Sequence, residues 1–152
     1  MSQLSEEGLM SLRQFFMRSL GRWESHRTYM YPNGKCTYSQ TMFNWDYNEE
    51  KGIFLVQWNN ETLNSTGMMG IRIASDFILE RSQGYFTDKP TQSHIQTSSR
   101  DHLRTLTSYG GGTYDEEINF VSDDRRIRRT IGTKDTTQAV ILIGTYVERK
   151  LD

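Results

Sequence analysis

Cysteine is almost missing: Cys36 is the only one in 152 residues. A lone thiol excludes an intramolecular disulfide and any multi-cysteine zinc site. Its one basic sequence neighbour is Lys35, so nothing local marks it as an activated nucleophile. Proline is nearly as scarce, with Pro32 and Pro90 alone. No apolar run approaches the ~20 residues that a bilayer crossing needs, so no membrane span is expected. No charge sign dominates: 18 Lys and Arg stand against 19 Asp and Glu, for a formal net charge of −1. That balance argues against a general nucleic-acid binder, which carries a basic excess. His26, His94 and His102 fall on separate segments without metal-ligand spacing, so no metal is expected. Gly110-Gly111-Gly112 precedes neither a helix nor a Lys-Ser/Thr pair, which excludes a phosphate loop. The opening MSQLSEEG lacks the basic-then-apolar pattern of a secretory signal. A reducing, cytosol-like compartment is expected, and the triplets Asn60-Glu61-Thr62 and Asn64-Ser65-Thr66 then read as chance.

What is present suits one domain over residues 1–152. Hydrophobic residues are only 35%, but aromatics reach 12% and seven Met join them. Large amphipathic side chains can bury area where aliphatics are few. Leu9, Leu12, Phe16 and Leu20, with Phe15 beside them, recur at spacings of three and four, which predicts a helix over 9–20. Gly21 follows as a stop signal. After it, short runs rich in Thr, Tyr, Val, Ile and Phe alternate with turn clusters such as Pro32-Asn33-Gly34 and Ser122-Asp123-Asp124. Strands are predicted near 23–31, 37–47, 53–59, 68–74, 77–82, 92–97, 102–109, 113–121, 125–133 and 138–149. The fold class is all-β: a closed antiparallel up-and-down barrel with an N-terminal α-helix. A sandwich is the rival, but charged residues mid-strand, among them Arg27, Arg104, Glu116, Arg126 and Arg128, fit a polar-lined cavity better.

Three constellations could carry chemistry. Gly21-Arg22-Trp23 opens the first strand, where Gly-x-Trp marks lipocalin-like barrels. There the Trp closes one end under an Arg of the last strand, for which Arg149 is the candidate; the alternative is a core Trp beside a helix-ending Gly, and the context favours the barrel plug. Period two puts Trp23, Ser25, Arg27 and Tyr29 on one face. Arg27 is then either an anion anchor in a cavity or half of an internal ion pair. Tyr114, Glu116, Ile118 and Phe120 share a face, as do Arg126, Arg128 and Thr130. If both sets point inward, a carboxylate and two guanidiniums enter one volume, suited to a ligand with N–H donors at one end and carboxylates at the other. The alternative is a solvated, salt-bridged hairpin.

In order and spacing, several segments resemble the S-type phycobiliprotein lyases, chromophore lyases that load linear tetrapyrroles. They are Phe15-Phe16, Ser19 and Gly21 to Thr28; Gly84-Tyr85-Phe86-Thr87-Asp88-Lys89-Pro90; Leu106-Thr107-Ser108-Tyr109; Glu116 to Phe120; and Arg126-Ile127-Arg128-Arg129-Thr130. The chain departs from the family's usual pattern at Glu117 and Asn119, at Tyr29-Met30 and at Ser122-Asp123-Asp124.

The resemblance implies a calycin barrel of about ten strands. It also implies noncovalent binding of a phycobilin and its delivery to a cysteine of an apo-phycobiliprotein subunit, as a thioether. By position, Glu116 is the pocket carboxylate and the catalytic candidate. Arg126 is the propionate-binding arginine, with Arg128 and Arg27 as further anchors and Trp58 and Tyr109 as ring-packing aromatics. No tightly bound cofactor is implied; the bilin is the transferred substrate. The implied place is cyanobacterial cytoplasm or plastid stroma, and a homodimer stays open. The alternative function is a noncatalytic carrier of a bilin or another small hydrophobic anion. Because the acceptor supplies the thiol, Cys36→Ser should bind and transfer bilin like the wild type. A variant that binds but cannot transfer, in a coexpression assay for covalent product, would reassign the chemistry to this chain's own thiol.

Overall fold

The computed structural model describes residues 6–60, 64–82 and 90–151, with side chains from residue 11 onward. One helix, α1 (Glu6–Arg18), precedes ten strands. These are β1 (Gly21–Met30), β2 (Cys36–Asn48), β3 (Ile53–Asn60), β4 (Ser65–Ile73), β5 (Ile78–Ser82), β6 (Thr91–Ser98), β7 (His102–Tyr109), β8 (Gly112–Ser122), β9 (Arg125–Lys134) and β10 (Val140–Lys150). Each strand pairs antiparallel with its sequence neighbours, and β1 pairs β10 to close the barrel. Closure leaves no sheet edge to be covered. The closed antiparallel barrel is therefore the architecture, and the open sandwich is excluded.

Every expected strand falls on an observed one, and the differences lie at the ends. β4 begins at Ser65 rather than 68, because Ser65 and Thr66 continue the ladder opposite Asn60 and Asn59. β10 begins at Val140 rather than 138, because Gln138 takes a φ of 62° in the preceding turn. The helix ends at Arg18 rather than 20: the amides of Ser19 and Leu20 bond back three residues, to the carbonyls of Phe16 and Met17. Gly21 then turns the chain into β1 at a φ of 115°, a conformation that favours glycine. At the opposite end of the barrel, Gly110 and Gly111 both take positive φ between β7 and β8. That is the requirement of the tight hairpin turn that best matches strand twist.

Helix α1 closes one end. Leu12, Phe15 and Phe16 are buried, as the three-and-four spacing requires. The Phe16 ring lies 5.2 Å from Phe54 and 5.7 Å from Trp45, and Phe15 meets Phe120 edge-on at 5.2 Å. Arg18 anchors the helix end to the turns beside it: it donates to the carbonyl of Arg100 at 2.7 Å and pairs with Asp101 and, at 3.2 Å, with Asp123. Next to this aromatic layer Trp23 is fully buried, stacked near Phe43 at 6.3 Å, and its indole N–H donates to the carbonyl of Ser19 at 2.9 Å. Removing so large a side chain from a closed core costs about 3–5 kcal/mol. Trp23→Ala should lose stability on that scale in denaturant unfolding, and a loss under about 1 kcal/mol would mean that the barrel closes without it.

Candidate functional site: a charged cavity over a buried ion pair

The barrel interior is divided into two tiers. The lower tier lies against α1 and contains Arg126. The expectation that Arg126 faces the cavity beside Glu116 is corrected by its surroundings. Its guanidinium lies 4.5 Å over the Trp23 ring, its Nε donates to Glu148 Oε1 at 2.7 Å, and its Nη1 donates to Ser19 Oγ at 2.9 Å. Both side chains of the pair have no solvent exposure. Period two gave the right face, but Arg126 sits two residues closer to the helix than Arg128, about 7 Å along the strand. At that depth it fills the floor rather than lining the cavity. Arg149 is corrected as well: it is half-exposed and pairs with Glu24 at 3.6 Å. The cation over Trp23 comes from β9 instead, with Lys150 of β10 at 5.2 Å from the same ring.

Burial is the larger influence on Arg126 and pulls its guanidinium down to about 10, against the opposing pull of Glu148. It remains charged at neutral pH. Burial alone would raise Glu148, but Arg126 and Arg128 outweigh it and hold the carboxyl below its ordinary value. Burial also pulls on Arg128, and there Glu148 and Glu116 prevail and keep it above the ordinary arginine value.

The upper tier is a cavity of about 240 Å³. Phe16, Trp45, Val56, Ile71 and Leu79 supply apolar wall, and Arg27, Arg81, Glu116 and Arg128 bring charge into it. Glu116 lies between two guanidiniums, with Arg81 Nη1 and Arg128 Nη2 each 3.5 Å from its oxygens. Arg128 Nη1 also reaches 3.7 Å from Glu148 Oε2, linking the two tiers. Arg27 donates through Nε to Ser25 Oγ at 3.1 Å and lies 5.1 Å over the Tyr146 ring. Among the described residues no carboxylate pairs with it. Among the described residues, three guanidiniums against one carboxylate leave the cavity wall with an excess of two positive charges.

Of the residues expected from the sequence, Glu116, Arg128, Arg27 and Trp58 therefore share one cavity. Trp58 lies across β4, where its partner is Gly67. A Cβ on Gly67 would sit 2.3 Å from the indole, so glycine there makes the ring's position available. Tyr109 does not join them: it is exposed, stacked on Tyr114 at 5.0 Å beside the Gly110-Gly111 turn. It stands at the hairpin tip, beyond the cavity wall. The outer face of the same strands carries the solvated charge ladder, with Arg129 on Glu117 at 2.8 Å and Arg104 on Asp115 at 2.8 Å. The arginine run thus serves both faces. Residues 84–89 of the Gly84 to Pro90 segment lie outside the described residues.

Two charged residues of the interior are not among those singled out from the sequence. Glu148 carried a signal, since it shares period-two phase with Tyr146 on the last strand. Arg81 had only its place in a short strand.

Comparison with known proteins gives the site its family. The sequence model of the CpeS-like protein family matches residues 37–151, most of the chain. The chain belongs to the CpeS-like family. The match begins after β1, so Trp23 and Arg27 precede the matched region. A Nostoc sp. protein with the assigned name phycocyanobilin lyase CpcS 2 is 25% identical over 163 aligned positions, covering 91% of this chain and 89% of that one. A Picosynechococcus sp. protein with the assigned name chromophore lyase CpcV is 30% identical over 59% of this chain and 42% of its own length. Among solved structures, the S-type phycobiliprotein lyase CpeS from Guillardia theta superposes with a TM-score of 0.69 at 18% identity, over 96% of both chains. That likeness places this CpeS-like chain on the same barrel fold.

Breaking a buried pair leaves an uncompensated charge, at a cost of about 3–5 kcal/mol. Glu148→Gln should therefore lower stability on that scale near neutral pH. The native carboxyl titrates below its unfolded value of 4.5, so its contribution is complete above that value and is lost as pH falls through the native one. Denaturant melts of wild type and Glu148→Gln should converge toward acid. A gap that stays constant down to low pH would show that Glu148 is not held as an anion.

Proposed function

We propose that this CpeS-like protein is a phycobiliprotein chromophore lyase. It binds a linear tetrapyrrole noncovalently and delivers it to a cysteine of an apo-phycobiliprotein subunit. The observation that carries the reading is the cavity's charge. An apolar and aromatic chamber whose described residues carry an excess of two positive charges suits a conjugated ligand that bears two propionates. The assigned names of the Nostoc and Picosynechococcus relatives, a phycocyanobilin lyase and a chromophore lyase, point the same way.

Each residue has a part in this reading. Arg128 and Arg27 bind propionate, since guanidinium forks match carboxylates. Glu116 accepts from pyrrole N–H groups and is the candidate proton donor at the ring under attack. Trp58 packs along the conjugated plane. At about 240 Å³ the cavity lies below the ~300 Å³ that encloses a drug-sized ligand. The tetrapyrrole is therefore seated by part of its length, and the remainder extends into the mouth, where an acceptor protein can reach it. The acceptor thiol adds across the ethylidene double bond. A carbon–sulfur bond forms, the carbon–carbon π bond breaks, the thiol proton passes to the tetrapyrrole, and nothing is oxidised. The chain contributes orientation, worth several orders of magnitude when a reactive pair is held in register. Among the described residues no helix is long and apolar enough to cross a membrane.

Coexpression with bilin synthesis and candidate apo-subunits should yield a covalent, fluorescent adduct. Binding with no adduct on any subunit would make the protein a carrier. Losing a charge-assisted bond from a shielded site costs about 1.5–3 kcal/mol, so Arg128→Ala should weaken bilin binding about ten- to a hundredfold in absorbance titrations. Wild-type affinity in a folded Arg128→Ala protein would remove Arg128 from the site.

A further inference from the structure

The reading above uses Arg128 and Arg27 for the ligand's acidic groups. A third guanidinium in the cavity remains, and its bonding is incomplete. Arg81 lies on β5 and Glu116 on β8, with β6 and β7 between them. Three interstrand steps cover about 14 Å of barrel wall, yet Arg81 Nη1 stands 3.5 Å from Glu116 Oε1. The side chain therefore reaches across the lumen instead of following the wall.

That contact is loose. Four arginine–carboxylate pairs close to 2.7 Å (Arg126–Glu148), 2.8 Å (Arg104–Asp115, Arg129–Glu117) and 2.9 Å (Arg72–Glu80), the usual range for charge-assisted bonds, whereas the Arg81 contact is nearly as long as the 3.6 Å of the half-exposed Arg149–Glu24 pair. Glu116 is also held at 3.5 Å by Arg128, and one carboxylate compensates only one of two cations. Among the described residues the buried Nε of Arg81 has no hydrogen-bond partner. The side chain nevertheless keeps about a fifth of its surface open, in a cavity whose wall it forms. A half-buried cation with a shared, distant counter-ion is one whose missing partner is an anion arriving from the cavity.

We infer that Arg81 is the second propionate anchor. The two acidic groups of the tetrapyrrole divide between Arg81, reaching in from β5, and the Arg128–Arg27 side of the cavity on β9 and β1. This rests on the bilin reading and adds to it a fixed orientation, because two anchors on different walls admit fewer poses than one. A propionate that takes Arg81 also relieves Glu116 of one of its two cations, leaving the carboxylate freer to meet ring N–H groups.

The test compares biliverdin with its dimethyl ester, in which both carboxylate charges are removed. Wild type, Arg81→Gln and Arg81→Lys are titrated with each, and thermal melts confirm that the variants fold. Arg81→Gln should lose about ten- to a hundredfold in affinity for the diacid and little for the diester. Arg81→Lys should recover part of the loss, since an ammonium keeps the charge without the fork. Equal losses against diacid and diester would overturn the inference and make Arg81 a prop for Glu116. Undiminished diacid affinity in Arg81→Gln would overturn it as well. A wild-type protein that takes up neither compound would instead overturn the bilin reading, and the anchor with it.

Discussion

The buried pair between Arg126 and Glu148 is the constraint on which the interior depends. A guanidinium with no solvent contact is tolerable only with a carboxylate against it and hydrogen bonds to the fork. Glu148 takes Nε, Ser19 takes Nη1 and the face of Trp23 covers the plane, while Nη2 is buried with no hydrogen-bond partner among the described residues. These contacts bring β9, β10, β1 and the end of α1 to one point. The pair thus joins the closing seam of the barrel to the helix that seals its end. It is not a cheap way to stabilise a core, since apolar residues of equal volume often serve as well. What it adds is registry: Arg126 can meet Glu148 only when β9 and β10 align as they do, with Glu148 opposite Arg126.

The tier above inverts that logic. Where the floor pair is tight and closed to solvent, the cavity's charges are spread and unequal. Glu116 is divided between two arginines at 3.5 Å, and among the described residues Arg27 has a hydroxyl and an aromatic ring in place of a carboxylate. Placing such groups inside a barrel costs stability, a cost that a bound anion would offset. Two neighbouring inward positions of one strand, Arg126 and Arg128, accordingly do opposite work. The first holds the fold together, and the second brings charge into the cavity.

That division explains how far the sequence could be read. Alternation on β1, β8 and β9 assigned faces correctly, because the pleat leaves a residue no choice once its neighbours are buried. Depth has no such signature. Whether an inward arginine meets the floor or the cavity depends on which turn and which helix end lie below it, and those are tertiary facts. Tyr109 shows the same limit at the other end: it belongs to a strand that lines the barrel, but its position at the hairpin tip carries it past the wall. Arg81 was hidden for a different reason. Its partner lies three strands away across the lumen, and no local spacing encodes a contact made across an enclosed volume. The strands and the helix were plain throughout, since turn residues and apolar periodicity are local.

Phe16 belongs at once to the helix that seals the barrel and to the wall of the cavity. A molecule resting on that ring is in contact with the seal itself. Its binding energy is therefore shared with the docking of α1, and by mutual linkage a well-seated helix raises affinity as much as an occupant tightens the helix. The barrel then has two routes to emptying. One is the open mouth, and the other is any force on the N-terminal segment that draws Phe16 and Arg18 out of register with the turns they hold.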